Sequence, residues 1–313
     1  MEKNNITLSL GNVSLDKELG IYYIDMRPSI IHYTESIYNG GVDEDGVPFL
    51  RNKKGLVYYT PVNIAQYGLI IHANYIESKD TSLLKILTNC IKRLESIKKE
   101  NELCVYWEYY EYNEKYKIKP PYTSSMAQGQ VISFYLRYYQ ITKDDYFLKQ
   151  SIKIYKFLKI EVQDGGVRRY DDECNLWFEE YPTEKPSFVL NGFIYCIFGL
   201  FDLKRIIDSQ DINEDIENCI KTLEVNLHKF DAGYWSKYDL IKFELVRYYY
   251  QKNVHVPQLS VLYRLTNKEI FNHYSKKWAK NITWYNFMFV KLMYRIQPRY
   301  RKALELMNKF LHK

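Results

Sequence analysis

The sequence predicts a mainly α-helical protein, an α/α barrel (toroid) of paired antiparallel helices preceded by a short N-terminal β-hairpin and extended arm. Two observations lead to this fold class. From Pro61 onward, apolar residues recur at intervals of three and four, as on one face of a helix. The predicted helices also come in pairs joined by short linkers such as 142–145. A plain helical bundle or a solenoid remains the alternative, and no repeat of fixed period is apparent.

The first 60 residues differ from the rest of the chain. Residues 38–48 are rich in Gly, Asp, Asn and Pro, which favour turns, and 55–60 has the composition of a short strand. We therefore expect an extended arm with a β-hairpin over residues 1–60 and an α/α-barrel catalytic domain over 61–313.

The helices of the barrel follow from the apolar periodicity. Pro61 suits the first turn of a helix, where its missing N–H would be unpaired in any case. The predicted helices cover 61–77, 80–99, 126–141, 143–160, 187–207, 212–228, 236–251, 257–266, 268–279 and 283–311.

Composition suits a protein with an anionic ligand. The chain carries 44 basic and 38 acidic side chains, a formal net charge of +6, and positive clefts attract anions. This excess of positive charge is too small to choose among nucleic acid, anionic glycan and membrane surface as the ligand.

Tyrosine is unusually frequent, with 32 residues against 15 Phe and 5 Trp. A tyrosine ring can stack on a sugar and its hydroxyl can bond to one, although a biased coding composition explains the total equally well.

Nothing in the chain indicates a metal, a disulfide framework or a nucleotide. The five cysteines form no CxxC pair and the six histidines form no HxxxH or HExxH pair. Residues 43–46 space their carboxylates as some calcium loops do, but the twelfth loop position is Lys54, so we interpret the segment as a turn. No phosphate loop or dinucleotide fingerprint is present, and we expect no cofactor.

The N-terminus lacks the basic and apolar regions of a signal peptide. No stretch reaches the roughly 18 apolar residues of a membrane-spanning helix. We expect a cytoplasmic protein without a membrane span.

Polar residues form islands at the predicted helix starts. Residues 179–183 place two carboxylates and a phenol on a Pro-containing loop before an apolar stretch over 188–203. Each island has a local explanation, such as helix capping by Ser124 or Ser125. At one end of a barrel, however, they would converge into a cleft able to bind sugars. The other islands are 58–68, 120–130, 230–240 and 255–259.

Three of these segments resemble, in the same order, the C-terminal catalytic domain of the D-glucuronyl C5-epimerases, which turn glucuronate into iduronate within heparan-type chains. They are Asn63-x-x-Gln66-Tyr67-Gly68, Ser124-Ser125-Met126-x-Gln128-Gly129-Gln130 and residues 179–202. The resemblance covers roughly residues 20–280. It implies a cofactor-independent isomerase that removes and returns the C5 proton of glucuronate in an anionic glycan such as heparosan, and a possible homodimer.

The resemblance also implies catalytic residues. Glu180 and Tyr181 match the family's adjacent pair, and Tyr238 matches the tyrosine of a Tyr-Asp-Leu motif. The family has a further tyrosine four residues before a histidine that aligns with His255, where this chain has Gln251. A one-residue insertion would make Tyr250 the counterpart; without one, this group is missing.

Residues expected to bind the substrate come from the same islands and from nearby charged groups. We interpret Glu179 as a solvated loop carboxylate rather than a catalytic one. The cations nearest to the site in sequence are Arg168, Arg169 and Lys237. The predicted binding residues are Tyr59, Asn63, Gln66, Tyr67, Ser125, Gln128, Gln130, Arg168, Glu179, Asn191, Lys237 and His255.

Two other functions are compatible with the sequence. A uronate lyase would begin with the same proton abstraction and then lose the substituent at C4. A non-catalytic protein of glycan binding or biosynthesis would explain the imperfect tyrosine–histidine match. We expect no nucleic acid partner.

Overall fold

Four helical hairpins form most of the barrel in this computed structural model, which describes residues 8–35, 39–242, 244–294 and 296. The helices are α1 (Ile31–Thr34), α2 (Pro61–Ser78), α3 (Ser82–Ile97), α4 (Ser125–Thr142), α5 (Asp145–Leu158), α6 (Leu190–Ile206), α7 (Gln210–Asn226), α8 (Tyr248–Tyr250), α9 (Val256–Thr266) and α10 (Glu269–Lys280). A further helical stretch covers 284–294. No helix in the described ranges is long and apolar enough to cross a membrane.

The two helices of each hairpin differ in burial. Helices α4 and α6 are buried on nearly every face, whereas α3 buries one stripe made of Leu87, Cys90, Ile91 and Leu94. A helix that is apolar all round belongs inside a protein, and an amphipathic one belongs at its surface. Helices α2, α4, α6 and α9 accordingly form the inner wall, with α3, α5, α7 and α10 outside, which confirms the predicted α/α barrel.

Glycines allow α4 and α6 to approach closely. A Cβ on Gly199 would lie 2.4 Å from the carbonyl oxygen of Gly129, and a Cβ on Gly129 would lie 2.5 Å from the Cα of Cys196. No larger residue fits at either position without moving one helix.

The arm completes the barrel. Strand β1 (Ser9–Leu10) pairs with β2 (Ile24–Asp25), and β3 (Gly40–Val42), β4 (Pro48–Arg51) and β5 (Val57–Tyr58) form an antiparallel meander, which confirms the predicted hairpin. Strands β1 and β2 contact α9. Arm residues Leu19, Tyr22, Tyr23, Ile24 and Met26 belong to the same hydrophobic core as the helices.

A buried charge network fastens the arm to the C-terminal ends of α4 and α6. Asp202 pairs with Arg137 at 2.6 Å and with Arg205 at 3.4 Å. The same guanidinium groups donate to arm carbonyls, from Arg137 Nε to Gly20 at 3.0 Å and from Arg205 Nη2 to Glu18 at 2.7 Å. The carboxylate thus holds both cations against the arm.

At the opposite end, long connections lead from each outer helix to the next inner helix. Between α3 and α4 lie β6 (Lys99–Glu100), β7 (Val105–Tyr106), β8 (Glu108–Tyr109) and β9 (Tyr122–Thr123); between α5 and α6 lie β10 (Arg168–Tyr170) and β11 (Leu176–Phe178). These connections form antiparallel hairpins. They surround the ends at which the inner helices begin.

The predicted helix over 236–251 is wrong up to Arg247, and the chain is helical there only from Tyr248 onward. Residues between α7 and α8 form a loop with isolated bridges between Asp231 and Ser236 and between Lys237 and Leu245. The apolar residues Leu245 and Val246 are buried instead in a small core with Trp235, whose Nε1 donates to the carbonyl oxygen of Val246 at 2.8 Å. The predicted helix over 283–311 starts within a residue of the helical stretch, and most of its remainder lies outside the described residues.

Candidate active site

A cleft of about 570 Å³ lies where inner helices α2, α4 and α6 begin. Thr60 and Ser124, which immediately precede α2 and α4, line it together with Asn63 and Asn191 from the first turns of α2 and α6. The N-terminus of a helix carries partial positive charge and unpaired N–H groups. Three such ends make the floor of the cleft favourable for an anion.

Ionised side chains contribute little positive charge to this cleft. Its described lining includes Glu111, Glu114 and Glu180 but neither lysine nor arginine. Glu114 is paired with Lys53 at 3.4 Å and with Lys117 at 3.5 Å. Among the residues with described positions, no three His, Cys, Asp or Glu side chains are grouped as a metal ion requires.

Glu180 lies at the centre of this arrangement. Its side chain follows β11, is 5% exposed, and reaches the start of α6. A Cβ on Gly192, the third residue of α6, would lie 2.1 Å from Glu180 Oε2 and 2.6 Å from its Cδ. Glycine at this position therefore makes room for the carboxyl group.

Burial raises the pKa of Glu180 to about 7. Hydrogen bonds from the Tyr181 and Tyr238 hydroxyls, the positive charge of Lys115 and the N–H of Gly192 all oppose this rise. Both protonation states are therefore populated near neutral pH. A group with this property can take up or release a proton in catalysis.

Two phenols contact this carboxyl group. The Tyr238 hydroxyl donates to Glu180 Oε1 at 3.4 Å, and the Tyr181 hydroxyl is also bonded to the carboxyl. The Tyr181 ring stacks on Tyr116 at 4.6 Å, and Tyr116 donates to Asp239 Oδ2 at 2.7 Å. Burial, followed by the nearby Glu180 charge, raises the pKa of both Tyr181 and Tyr238. The hydroxyl groups of Tyr181 and Tyr238 are therefore protonated in the protein without substrate and can donate a proton.

Lys115 supplies the positive charge nearest to these groups, and the sequence did not single it out. Its Nζ lies 3.8 Å from the Tyr238 ring centroid and pairs with Asp239 at 3.3 Å and Glu244 at 3.4 Å. The neighbouring segment 109–122 is dense in tyrosine. That density was the signal by which the segment could have been found.

A π-helix over Gln251–His255 positions Tyr250. Tyr250 lines the cleft, with its ring 5.8 Å from that of Tyr238. Gln251 points elsewhere, because its Oε1 accepts from Ser236 N at 2.6 Å and its Nε2 donates to the Trp278 carbonyl. A π-helix contains one residue more than the corresponding α-helical turn. A π-helix at this point is compatible with the one-residue insertion that a match of Tyr250 to the family's further tyrosine requires.

Tyrosine rings form much of the remaining wall. Those of Tyr109 and Tyr122 stack at 5.4 Å with an angle of 14° between their planes, across β8 and β9. Such flat walls suit the faces of sugar rings. The lining tyrosines are Tyr58, Tyr109, Tyr112, Tyr122, Tyr181, Tyr238 and Tyr250.

Three of the predicted binding residues lie at the cleft or directly beside it. Asn63 and Asn191 line the cleft. Gln66 lines an adjoining cavity of about 200 Å³, which shares Asn63 and Tyr250 with the cleft. Gln66 Oε1 accepts from the Tyr33 hydroxyl at 2.6 Å.

Other predicted binding residues hold the scaffold and are not brought to the cleft. The Tyr59 hydroxyl donates to Asp43 Oδ2 at 2.6 Å. Ser125 Oγ donates to the carbonyl oxygen of Phe178 at 3.0 Å. Asp43 also accepts from the backbone of its own loop, which confirms the turn predicted at 43–46.

Three residues of the α2 and α4 motifs are likewise internal. Gln128 donates to the Trp107 carbonyl and accepts from its N–H, both at 3.2 Å. Tyr67 and Gln130 are buried, with exposed fractions of 5% and 0%. These side chains fix the inner helices rather than reach the cleft.

The predicted cations also lie away from the cleft lining. Arg168 pairs with Asp215 at 2.5 Å, and Lys237 Nζ donates to the carbonyl oxygen of Lys229 at 3.0 Å. Arg169 Nε lies 3.3 Å from a carboxylate oxygen of Glu179.

His255 lies behind the cleft wall. It is fully buried, with Nδ1 3.0 Å from Ser236 Oγ and its ring 5.4 Å from that of Tyr250. Burial lowers its pKa to about 3, so the imidazole is neutral. In this position it supports Tyr250 and is not part of the lining.

Glu179 is a buried carboxylate that holds a loop through hydrogen bonds, so the expectation of a solvated carboxylate is wrong. Its side chain is 1% exposed. Oε2 accepts from Ser187 Oγ at 2.6 Å and from Phe188 N at 3.1 Å, and Oε1 accepts from Ser187 N at 3.0 Å. The carboxylate thereby closes the loop that leads from Glu180 into α6.

Comparison with known families gives one match over more than half of the 313 residues. The profile described as D-glucuronyl C5-epimerase C-terminus matches residues 99–280. A D-glucuronyl C5-epimerase of Caenorhabditis elegans is 34% identical over 182 residues, which are 52% of this chain and 29% of that enzyme. An uncharacterised protein of Methanocaldococcus jannaschii is 26% identical over 198 residues, 62% of this chain and 64% of that protein.

Solved structures share the fold. Cellobiose 2-epimerase from Bacillus thermoamylovorans superimposes with a TM-score of 0.53 at 15% identity, over 77% of this chain and 66% of that one. A family 76 glycoside hydrolase from a Bacteroides thetaiotaomicron strain gives a TM-score of 0.55 at 9% identity, over 82% and 55% of the two chains. At these identities the likeness extends to the architecture alone.

Proposed function

Because this chain belongs to the D-glucuronyl C5-epimerase C-terminus family, we propose that it inverts C5 of D-glucuronate residues in an anionic glycan to give L-iduronate. The observation that carries the proposal is the Glu180 carboxyl group, buried among protonated phenols with a pKa of about 7. Removal of a proton beside a carboxylate requires a base on one face of the sugar and an acid on the other.

In this proposal Glu180 accepts the C5 proton, and the electron pair of the C–H bond moves into the substrate carboxylate as an enediolate. Tyr250 then donates its phenolic proton to C5 from the other face. The resulting carboxylic acid and phenolate regain their starting states by exchange with water. Tyr181 and Tyr238 hold the Glu180 carboxyl through their hydroxyl groups.

The enediolate needs stabilisation where its negative charge develops. The starts of α2, α4 and α6, with the amides of Asn63 and Asn191, are suited to this because they face the same cleft. Tyr109 and Tyr122 offer stacking surfaces for neighbouring sugars. This distribution is our explanation of how a cleft whose described lining contains no lysine or arginine could still accept a uronate.

Proton NMR of heparosan incubated with the protein in heavy water tests the proposal. We expect deuterium at C5 together with new iduronate signals. Glu180→Gln should abolish both changes because it removes the base, and Tyr250→Phe should abolish the iduronate signals because it removes the acid on the other face. Tyr146→Phe is the matched control, since that half-exposed phenol lies on the outer helix α5.

Other outcomes identify the alternatives. Ultraviolet absorption from an unsaturated uronate, without iduronate, would indicate a lyase. Retained heparosan binding without C5 exchange in the unaltered protein would contradict the proposed enzyme and favour a binding protein.

A further inference from the structure

The helical stretch 284–294 exposes an apolar face that the proposed reaction does not use. The exposed fraction of its side chains reaches 68% for Trp284 and 77% for Tyr285. The other exposed apolar side chains on this face are Met288, Phe289, Leu292 and, just beyond, Ile296, at 45–51%. At 100° per residue these six positions fall within an arc of about 140°. They form one continuous stripe.

The opposite face of the same helix is anchored to the protein. Val290 is 1% exposed and belongs to a small core with Trp235, Leu245 and Val246. The Tyr294 hydroxyl donates to the Leu245 carbonyl at 2.7 Å. The stripe is therefore held in a fixed orientation, on the loop region that also carries Tyr238.

The charge along this segment of the sequence has one sign. The sequence between Ile270 and Leu304 contains no acidic residue. Of its basic residues, Lys276, Lys280 and Lys291 have exposed side chains in the structure. The complete set is Lys276, Lys277, Lys280, Lys291, Arg295, Arg299, Arg301 and Lys302.

We propose that this face docks on the surface of an anionic lipid bilayer, with the helix in the plane of the interface. An exposed stripe with Trp, Tyr and Phe beside basic residues has the composition of interfacial helices, whose aromatic rings enter the headgroup region while lysines attract anionic lipids. The inference does not depend on the proposed reaction. It does link the docking face to the loop that carries Tyr238, through Leu245 and Val246.

A second copy of this chain fits the stripe less well. In a two-fold dimer the same surface meets itself, so two segments free of acidic residues would face each other. Like charges brought together at an interface oppose association. An anionic bilayer supplies both the apolar interior and the opposite charge.

Tryptophan fluorescence gives a direct readout. The exposed fractions of Trp107, Trp177, Trp235 and Trp278 are at most 1%, so Trp284 is the exposed indole among the five. We expect its emission to shift to the blue when the full chain meets phosphatidylcholine vesicles containing 30% phosphatidylglycerol (about one lipid in three). Vesicles of phosphatidylcholine alone should cause little shift. Trp284→Phe should remove the shift while the protein still sediments with anionic vesicles.

Co-sedimentation measures the affinity. Trp284→Gln with Leu292→Gln should weaken binding to anionic vesicles at least tenfold, and Lys280→Gln should weaken it about fivefold, in a salt-dependent manner. Leu103→Gln is the matched control, because that leucine is 70% exposed in a different region. Equal binding to neutral and anionic vesicles, or undiminished binding of the double variant, would overturn the proposal. Absence of binding to anionic vesicles would also overturn it, and a dimer that the double variant dissociates would then identify a second copy of the chain as the occupant.

Discussion

Replacement of Gly192 by alanine tests whether the position of Glu180 controls turnover. An added Cβ would lie 2.1 Å from Oε2, whereas ordinary van der Waals contact begins at 3.4 Å, so the carboxyl must move by about 1.3 Å. The same Cβ would lie 2.6 Å from the Cβ of Glu180, so rotation of the carboxyl end alone does not relieve the overlap. The whole side chain has to leave its place.

The expected effect on catalysis is large. Misplacement of a reacting group by about 1 Å costs on the order of 100-fold in rate. In an unhindered helix the same substitution would instead stabilise by up to about 1 kcal/mol, because alanine has the higher helix propensity. We therefore expect the rate of deuterium incorporation at C5 of heparosan to fall about 100-fold, while the gain in helix propensity offsets part of the about 1–3 kcal/mol that overpacking costs.

Gly199→Ala provides the matched control in the same helix. Its Cβ would meet the backbone of Gly129 at 2.4 Å, which separates α4 from α6 without contacting Glu180. We expect this variant to lose thermal stability more than Gly192→Ala does. A Gly192→Ala protein with the wild-type exchange rate would refute the assignment of Glu180 as the base.

Three further predictions follow from particular contacts. Because the folded pKa of Glu180 is raised from 4.5 to about 7, the free energy of unfolding should fall by about 3 kcal/mol as pH rises through that window, and Glu180→Gln should remove this dependence in urea titrations. Asp202→Asn should cost about 3–5 kcal/mol of unfolding free energy by leaving two buried guanidinium groups unpaired, whereas exposed Asp211→Asn should cost less than about 1 kcal/mol; equal losses would contradict this. Deletion of exposed Lys252 should convert the π-helix to an α-helix and leave Tyr250 in the cleft, four residues before the histidine, so iduronate formation should change less than about tenfold; a loss of 100-fold or more would contradict the one-residue insertion.

Apolar periodicity was sufficient for most of the fold, because each barrel helix buries at least one stripe. The predicted helix over 257–266 differs from Val256–Thr266 by a single residue. The same reasoning failed over 236–247, where apolar side chains are buried by a loop. There the backbone is held by distant groups: Leu190 N donates to the carbonyl oxygen of Tyr238, and Ser236 N donates to Gln251. No local pattern encodes such partners.

Only some of the residues that line the cleft could be predicted, because their position also depends on distant partners. Polar residues at the start of an inner helix have two possible destinations, the open cleft or the backbone of a neighbouring connection. Asn63 and Asn191 take the first, whereas Ser125 and Gln128 take the second. Both kinds look alike in the sequence. Lys115 was missed because it comes from a different connection and reaches Tyr238 only in the folded chain.

For the tyrosine before His255, a π-helix would preserve an arrangement that the sequence spacing conceals. In the related family this tyrosine precedes the histidine by four residues, and here Tyr250 precedes His255 by five. In an α-helix the hydrogen bond links residues four apart, and in a π-helix it links residues five apart. The N–H of Val256 indeed bonds to the carbonyl oxygen of Gln251. Across this turn, residues five positions apart are therefore aligned as residues four positions apart are in an α-helix. We expect the helix to absorb the extra residue in this way, so that Tyr250, which lines the cleft with its ring 5.8 Å from that of Tyr238, serves as the family's further tyrosine.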